Sequence, residues 1–332
     1  MFSFHSIGID ISPAMGSTPQ HIIRPIEDML SSSAFESELP MGTPWGIGST
    51  TRAIKRLVVR ELSKAEGAPY ILLHNVPPSI IERTTDNRQL LGSRAIRLCY
   101  NSETRQLIIK FPKEPHEVAS RSLGNIFRRA FDTMGLGDKY LSLGSAIADN
   151  GRVEKEPDDQ WVPKPEYLPA GRNVHWPTVV LECGWSEGLS QLRMDASIWM
   201  AHFEAKVAII VSVERRRHFI QIEKWVPTAG HSLRAGPLIQ SRCAQRIHIM
   251  ETKSGLHING PFLYIEFEEL WLRQPAANER DYVFPHATLE VLADDIWVRQ
   301  DIWLAERNEE LEEVSDEDIE IDNEDDDQEE SQ

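Results

Sequence analysis

Apolar residues recur along the chain with two periods, and each change of period marks an element. Between residues 50 and 64, Ile54, Leu57, Val58 and Leu62 fall at helical spacing. PYILLHNV (69–76) then reads as a strand closed by Pro77-Pro78. RAIRLCY (94–100) and RQLIIKF (105–111) flank a turn at Asn101–Thr104 and predict a β-hairpin. From Glu117 to Met134, residues Val118, Leu123, Ile126, Phe127, Ala130, Phe131 and Met134 form one helical stripe, which stops at Gly135. An extended segment, KYLSLGSAIA (139–148), and a Pro-bearing loop, GRVEKEPDDQWVPKPEYLP (151–169), lead to the strand TVVLEC (178–183). Leu189, Leu192, Ala196, Trp199, Met200 and Phe203 predict a helix packed on that strand. KVAIIVSV and HFIQIEKW make a second hairpin across the basic turn Glu214–Arg217. The strands RIHIMET and PFLYIEF and a Trp-rich closing segment follow, and there is no internal repeat.

Strands and helices do not alternate regularly, so the fold class is mixed α/β (α+β) with antiparallel elements. Residues 1–48, rich in Ser, Pro and Gly, read as a loosely ordered arm. Residues 49–305 read as one α/β domain, and residues 306–332 as an acidic tail.

Charge sharpens that division. The net charge is −17, but residues 309–332 hold 15 Asp and Glu and no Lys or Arg, which leaves −2 for residues 1–308. A tail of that composition cannot bury enough apolar surface to fold alone and is expected to be disordered. It suits a solubilising role, or capture of a basic protein by mimicry of nucleic acid. At 41% hydrophobic content the rest is long enough for a substantial core. Cys99, Cys183 and Cys243 are far apart and odd in number, which points to reduced thiols and gives no zinc spacing. The N-terminus has neither a basic region nor a long apolar run, and no stretch approaches 18 apolar residues. No signal peptide or membrane span is expected, and the expected location is intracellular, in cytoplasm or nucleus.

Candidate chemistry concentrates in VVLECGWSEGL (179–189). Glu182 lies in an apolar run, where a carboxylate needs a partner or a task. Gly184-Trp185-Ser186-Glu187-Gly188 also matches the G-x-S-x-G elbow of serine hydrolases. His218, His231, His248, His257 and His286 follow it, but an antiparallel hairpin succeeds the helix and no oxyanion-loop glycine run precedes the motif. The serine reading also leaves Glu182 without a purpose. Asp158, after Pro157, offers a second acid. An Asp in an extended segment and a Glu on the next strand converge when the two pair, and their hard oxygens suit Mg²⁺. Such an ion activates water and neutralises phosphate charge. The plain alternative is a solvent-facing loop acid at Asp158 and an arginine-paired Glu182.

Pro157-Asp158, a spacer, and a strand bearing Glu182-Cys183-Gly184 resemble the PD-(D/E)XK nuclease superfamily, the restriction-endonuclease-like fold. The run EKEPDDQWVP, PTVVLECGWSEGLSQLRMDASIWM, AKVAIIVSV and IQIEKW is similar to that of uncharacterised fungal proteins assigned this fold, over about residues 94–226. The resemblance implies a mixed sheet flanked by helices, action on phosphodiester bonds, nucleic acid as partner and Mg²⁺ as cofactor. It makes Asp158 and Glu182 the metal ligands, with the backbone carbonyl of Cys183 as a third and Glu117 as a further candidate. The departure is at residue 184, where the family carries lysine and this chain has glycine. In bacterial relatives the lysine moves to the next helix, four residues before an aromatic; counting back from Trp199 gives Asp195. The cations left are Lys155 and Arg193, and arginine is a poor proton acceptor. Metal binding is therefore better founded than catalysis, and a non-catalytic interaction protein on the same fold is the alternative function. Arg215–Arg217 and the tryptophans suit a solvated turn and packing.

Overall fold

The chain is seen in a computed structural model that describes residues 21–22, 35–64, 67–85, 87–185, 188–232 and 236–329, without side chains for 21–22, 229–240 and 308–329. The expected arm is thus described mainly from residue 35, and the acidic tail falls almost wholly beyond the described side chains.

Two mixed sheets, with helices against them, make the fold. After the short β1 (His21–Ile22), the chain forms β2 (Trp45–Ile47), α1 (Thr51–Leu62), β3 (Tyr70–His74) and α2 (Pro78–Thr85). The Thr50 hydroxyl accepts the Ala53 N–H at 3.2 Å and starts α1 at the predicted place. Pro78 opens α2, a helix that the closing Pro77-Pro78 pair did not suggest; proline suits a first helical position, where its missing N–H is no loss. The predicted hairpin is β4 (Arg97–Asn101) with β5 (Gln106–Lys110), and α3 spans Glu114–Thr133. With β7 (Ala148–Asp149) and β8 (Val153–Lys155), these strands build a six-stranded sheet in the order β2-β3-β5-β4-β8-β7.

The second sheet has eight strands. Its path is β1-β13-β12-β11-β10-β9-β6, with β14 on β13, where β6 is Tyr140–Ser142, β9 Asp159–Pro163, β10 Val179–Trp185, β11 Val207–Val213, β12 Phe219–Ser232, β13 Gly236–Thr252 and β14 Gly255–Asn259. The helix α4 (Leu189–Phe203) connects β10 to β11, which run parallel, whereas β9 meets β10 antiparallel. The pair β15 (Leu263–Ile265) and β16 (Tyr282–Phe284), the short α5 (Phe267–Trp271) and α6 (His286–Glu329) complete the chain. This is the mixed sheet flanked by helices that the resemblance implies.

The segment read as a Pro-bearing loop is corrected by the structure: it holds β8 and β9. Its prolines stand where no ladder donor is needed, Pro163 at the end of β9 and Pro157 between the strands. Glu156 N–H still bonds Leu98 of the first sheet at 2.9 Å, and Asp158 N–H already bonds Leu181 of the second at 3.1 Å. The chain crosses between sheets within three residues.

Alternation along β10 divides the core. Leu181, Cys183 and Trp185 face α3 and α6, and Val180 faces α4 and the inner side of the first sheet. The predicted stripe on α4 understates its burial. Leu192, Met194, Asp195, Ala196, Ile198 and Trp199 are all buried, because the helix is enclosed by both sheets. Phe127 of α3 lies 4.8 Å from the Trp161 ring and 5.2 Å from the Phe284 ring, joining α3, β9 and β16. Phe127→Ala is expected to lower stability by about 3–5 kcal/mol in equilibrium denaturant unfolding, through lost burial and the cavity left behind.

Candidate functional site

Strand pairing alone brings the two singled-out acids together. Leu181 stands opposite Asp159 in the β9–β10 register, which places Asp158 beside Glu182 and Cys183 at the point where the pairing ends. The Cys183 N–H, left without a strand partner on that side, donates to Asp158 Oδ2 at 2.7 Å. Both side chains are buried, Asp158 at 0% and Glu182 at 1% exposure.

Their partners come from the other sheet. Lys110, the last residue of β5, reaches Asp158 Oδ2 at 2.6 Å and Glu182 Oε2 at 3.2 Å. Lys155, at the end of β8, lies 3.2 Å from Glu182 Oε1 and 2.9 Å from Asp195 Oδ1 of α4. The Trp199 indole N–H, one turn on from Asp195, donates to Glu182 Oε1 at 2.7 Å. Acids and ammonium groups therefore alternate in one chain: Asp158, Lys110, Glu182, Lys155, Asp195. Arg97 stands opposite Lys110 in the β4–β5 register, with Nε 3.7 Å from Asp158 Oδ1 and Nη2 3.0 Å from Glu117. His116 Nε2 lies 2.9 Å from Asp158 Oδ2, although the ring is not aligned for a hydrogen bond.

The electrostatics follow from this alternation. Burial alone would raise Asp158, but His116, Lys110 and Arg97 outweigh it and hold the carboxyl far below the usual range. Burial opposes charge on both lysines, yet the surrounding carboxylates keep Lys110 and Lys155 above their ordinary values. At Asp195 burial prevails over Lys155, and the carboxyl is raised.

The sequence candidates separate clearly. Asp158, Glu182 and Lys155 meet in this cluster. Cys183 enters it through its N–H, and its thiol is buried in the core and raised by that burial. Glu117 stands at the rim, paired with Arg97 and 35% exposed. Arg193 does not join: it forks onto Glu223 at 2.7 and 3.0 Å, which also takes Arg246 at 2.8 Å. Of the two α4 residues that flank its stripe, Asp195 is the one facing the site. Ser186 lies outside the described residues. Gly184 has a physical reason to lack a side chain, since a Cβ there would sit 3.3 Å from Leu192 Cδ1. A side chain at 184 would require Leu192 to give way by a few tenths of an ångström. Lys110, Arg97 and His116 were missed, although IIKF carries the same anomaly as VVLE, a charge at the end of an apolar strand.

A dication does not fit this donor set as arranged. Asp158 Oδ2 and both Glu182 oxygens are already in contact with ammonium, amide or indole donors, and only Asp158 Oδ1 lacks a hydrogen bond. A hard divalent ion takes about six oxygens. Among the described residues, no three His, Cys, Asp or Glu are grouped to hold a metal. The cavity between Tyr70, Arg97, Lys110, Lys155 and Asp195 measures only ≈ 10 Å³, about the space of one water.

No family model matches the chain, and no curated protein matches it. A solved structure from Anabaena variabilis, described as a "putative nuclease belonging to DUF820", shares 9% identity over 38% of this chain and 70% of its own, with a TM-score of 0.27. Among the described residues no helix is long and apolar enough to cross a membrane.

Two measurements check the electrostatics. Lys110→Met leaves two buried carboxylates without their shared ammonium, and denaturant unfolding is expected to show a loss of about 3–5 kcal/mol. Asp159, on the opposite face from Asp158, is pushed to about 6 by burial. The folded state therefore binds its proton more tightly than the unfolded chain, so this group's contribution to stability falls as pH rises from about 4 to 6. Asp159→Asn should remove that part of the slope from the unfolding midpoint measured against pH.

Proposed function

We propose that this chain is a non-catalytic protein on a nuclease-like fold, acting by binding rather than by cleaving phosphodiester bonds. One observation supports this above the others: Lys110 and Lys155 arrive from the first sheet and neutralise Asp158, Glu182 and Asp195 where a nuclease would hold its metal and admit a phosphate. With both acids at 1% exposure or less, neither water nor a scissile bond reaches them. The binding partner that the sequence favours is a basic protein, because residues 309–332 concentrate 15 acids without a single Lys or Arg.

Incubation with single- and double-stranded DNA and RNA in Mg²⁺ or Mn²⁺ is expected to give no cleavage above the metal-only control. Metal-dependent cleavage that disappears in Glu182→Ala would overturn the reading. Binding to a lysine-rich polypeptide should be lost on removing residues 309–332 and should weaken steeply with salt.

A further inference from the structure

We infer that the ammonium group of Lys110 stands in for a divalent cation, so that deleting it, rather than adding ligands, creates a metal site. The inference rests on reading the centre as non-catalytic and takes it further, to what the carboxylates would bind if uncovered.

The geometry carries it. A single Nζ lies within 3.2 Å of one carboxylate oxygen from each of two neighbouring segments, Asp158 before β9 and Glu182 on β10. That is the place a bridging cation takes between two acids. Lys155 repeats the arrangement between Glu182 and Asp195. Both lysines sit in strands of the other sheet, at 9% and 4% side-chain exposure, where burying a charge requires opposite charge in contact. Of the four carboxylate oxygens of Asp158 and Glu182, Asp158 Oδ1 alone has no hydrogen-bond partner, with Arg97 Nε 3.7 Å away.

Once Lys110 is shortened to alanine, Asp158 and Glu182 face the vacated space with two negative charges and only Lys155, Arg97 and His116 nearby. The ammonium and methylenes removed leave room for a dication with only part of its water shell, and the ion brings twice the charge. Lys110→Met removes the charge and keeps the space filled, so it should gain nothing. The acidic C-terminal residues offer weak sites in every variant, so the readout is the difference between variants that share them.

Mn²⁺ titration of the full chain, followed by electron paramagnetic resonance of the free ion, tests this directly. The wild type and Lys110→Met should show only weak, non-saturating uptake. Lys110→Ala should gain one saturable site, at least about ten-fold tighter than the background, and lose it again in Lys110→Ala/Glu182→Gln. A saturable wild-type site abolished by Glu182→Gln overturns the inference, whatever the cleavage assays give. So does a folded Lys110→Ala that gains no site. If Lys110→Ala does not fold in metal-free buffer, Mn²⁺ should restore its cooperative unfolding transition, and failure to do so counts against the inference equally. Cleavage by the wild type without a saturable Mn²⁺ site would sink the proposed function and leave this inference standing.

Discussion

The contact between Lys110 and the two acids Asp158 and Glu182 ties the molecule together. It is the point where the six-stranded sheet grips the eight-stranded one, and every group in it is withdrawn from water. Buried ion pairs contribute little net stability, because desolvation offsets their attraction, but breaking one is strongly unfavourable. The consequence is selectivity of docking. If β5 slipped by one residue, Lys110 would point to the other face of its sheet and leave carboxylates uncompensated in the core. Apolar contacts between α4 and the two sheets supply the bulk of the attraction. The charges add a penalty to any apolar arrangement that would leave them unpaired in the core.

Much of this was legible along the chain, and the exceptions are instructive. The helices α1 and α3 and both hairpins follow from period, and so does the position of α4, although that helix is buried on more than one face. The strands β8 and β9 were hidden by prolines, whose usual meaning as breakers fails at a strand end. Asp158 and Glu182 were found because one follows a proline and the other interrupts an apolar run. Lys110 was not, for its partners lie 48 and 72 residues away and no local pattern announces them. Arg193 was singled out as a cation for the site, but its partner is Glu223, 30 residues away on β12 and equally beyond any local pattern.

The centre also shows how one set of acids can have two meanings. Open to solvent, two carboxylates on adjacent segments invite a hard cation and the water it polarises. Covered by a second sheet that brings its own ammonium groups, the same carboxylates become internal counter-ions. The difference lies less in the acids than in what the neighbouring layer places over them.

Beside the ion cluster, that layer is joined to the other by a very short link. Between the end of β8 and the start of β9 only Glu156, Pro157 and Asp158 intervene, anchored on either side to Leu98 and Leu181. A fully stretched link of that length reaches on the order of 14 Å, so it holds the two sheets close together beside the ion cluster. The chain crosses again between β6 and β7, through residues 143–147, so the two sheets are tied at more than one place. To part the sheets at their middle, the buried contacts of both Lys110 and Lys155 would have to break together.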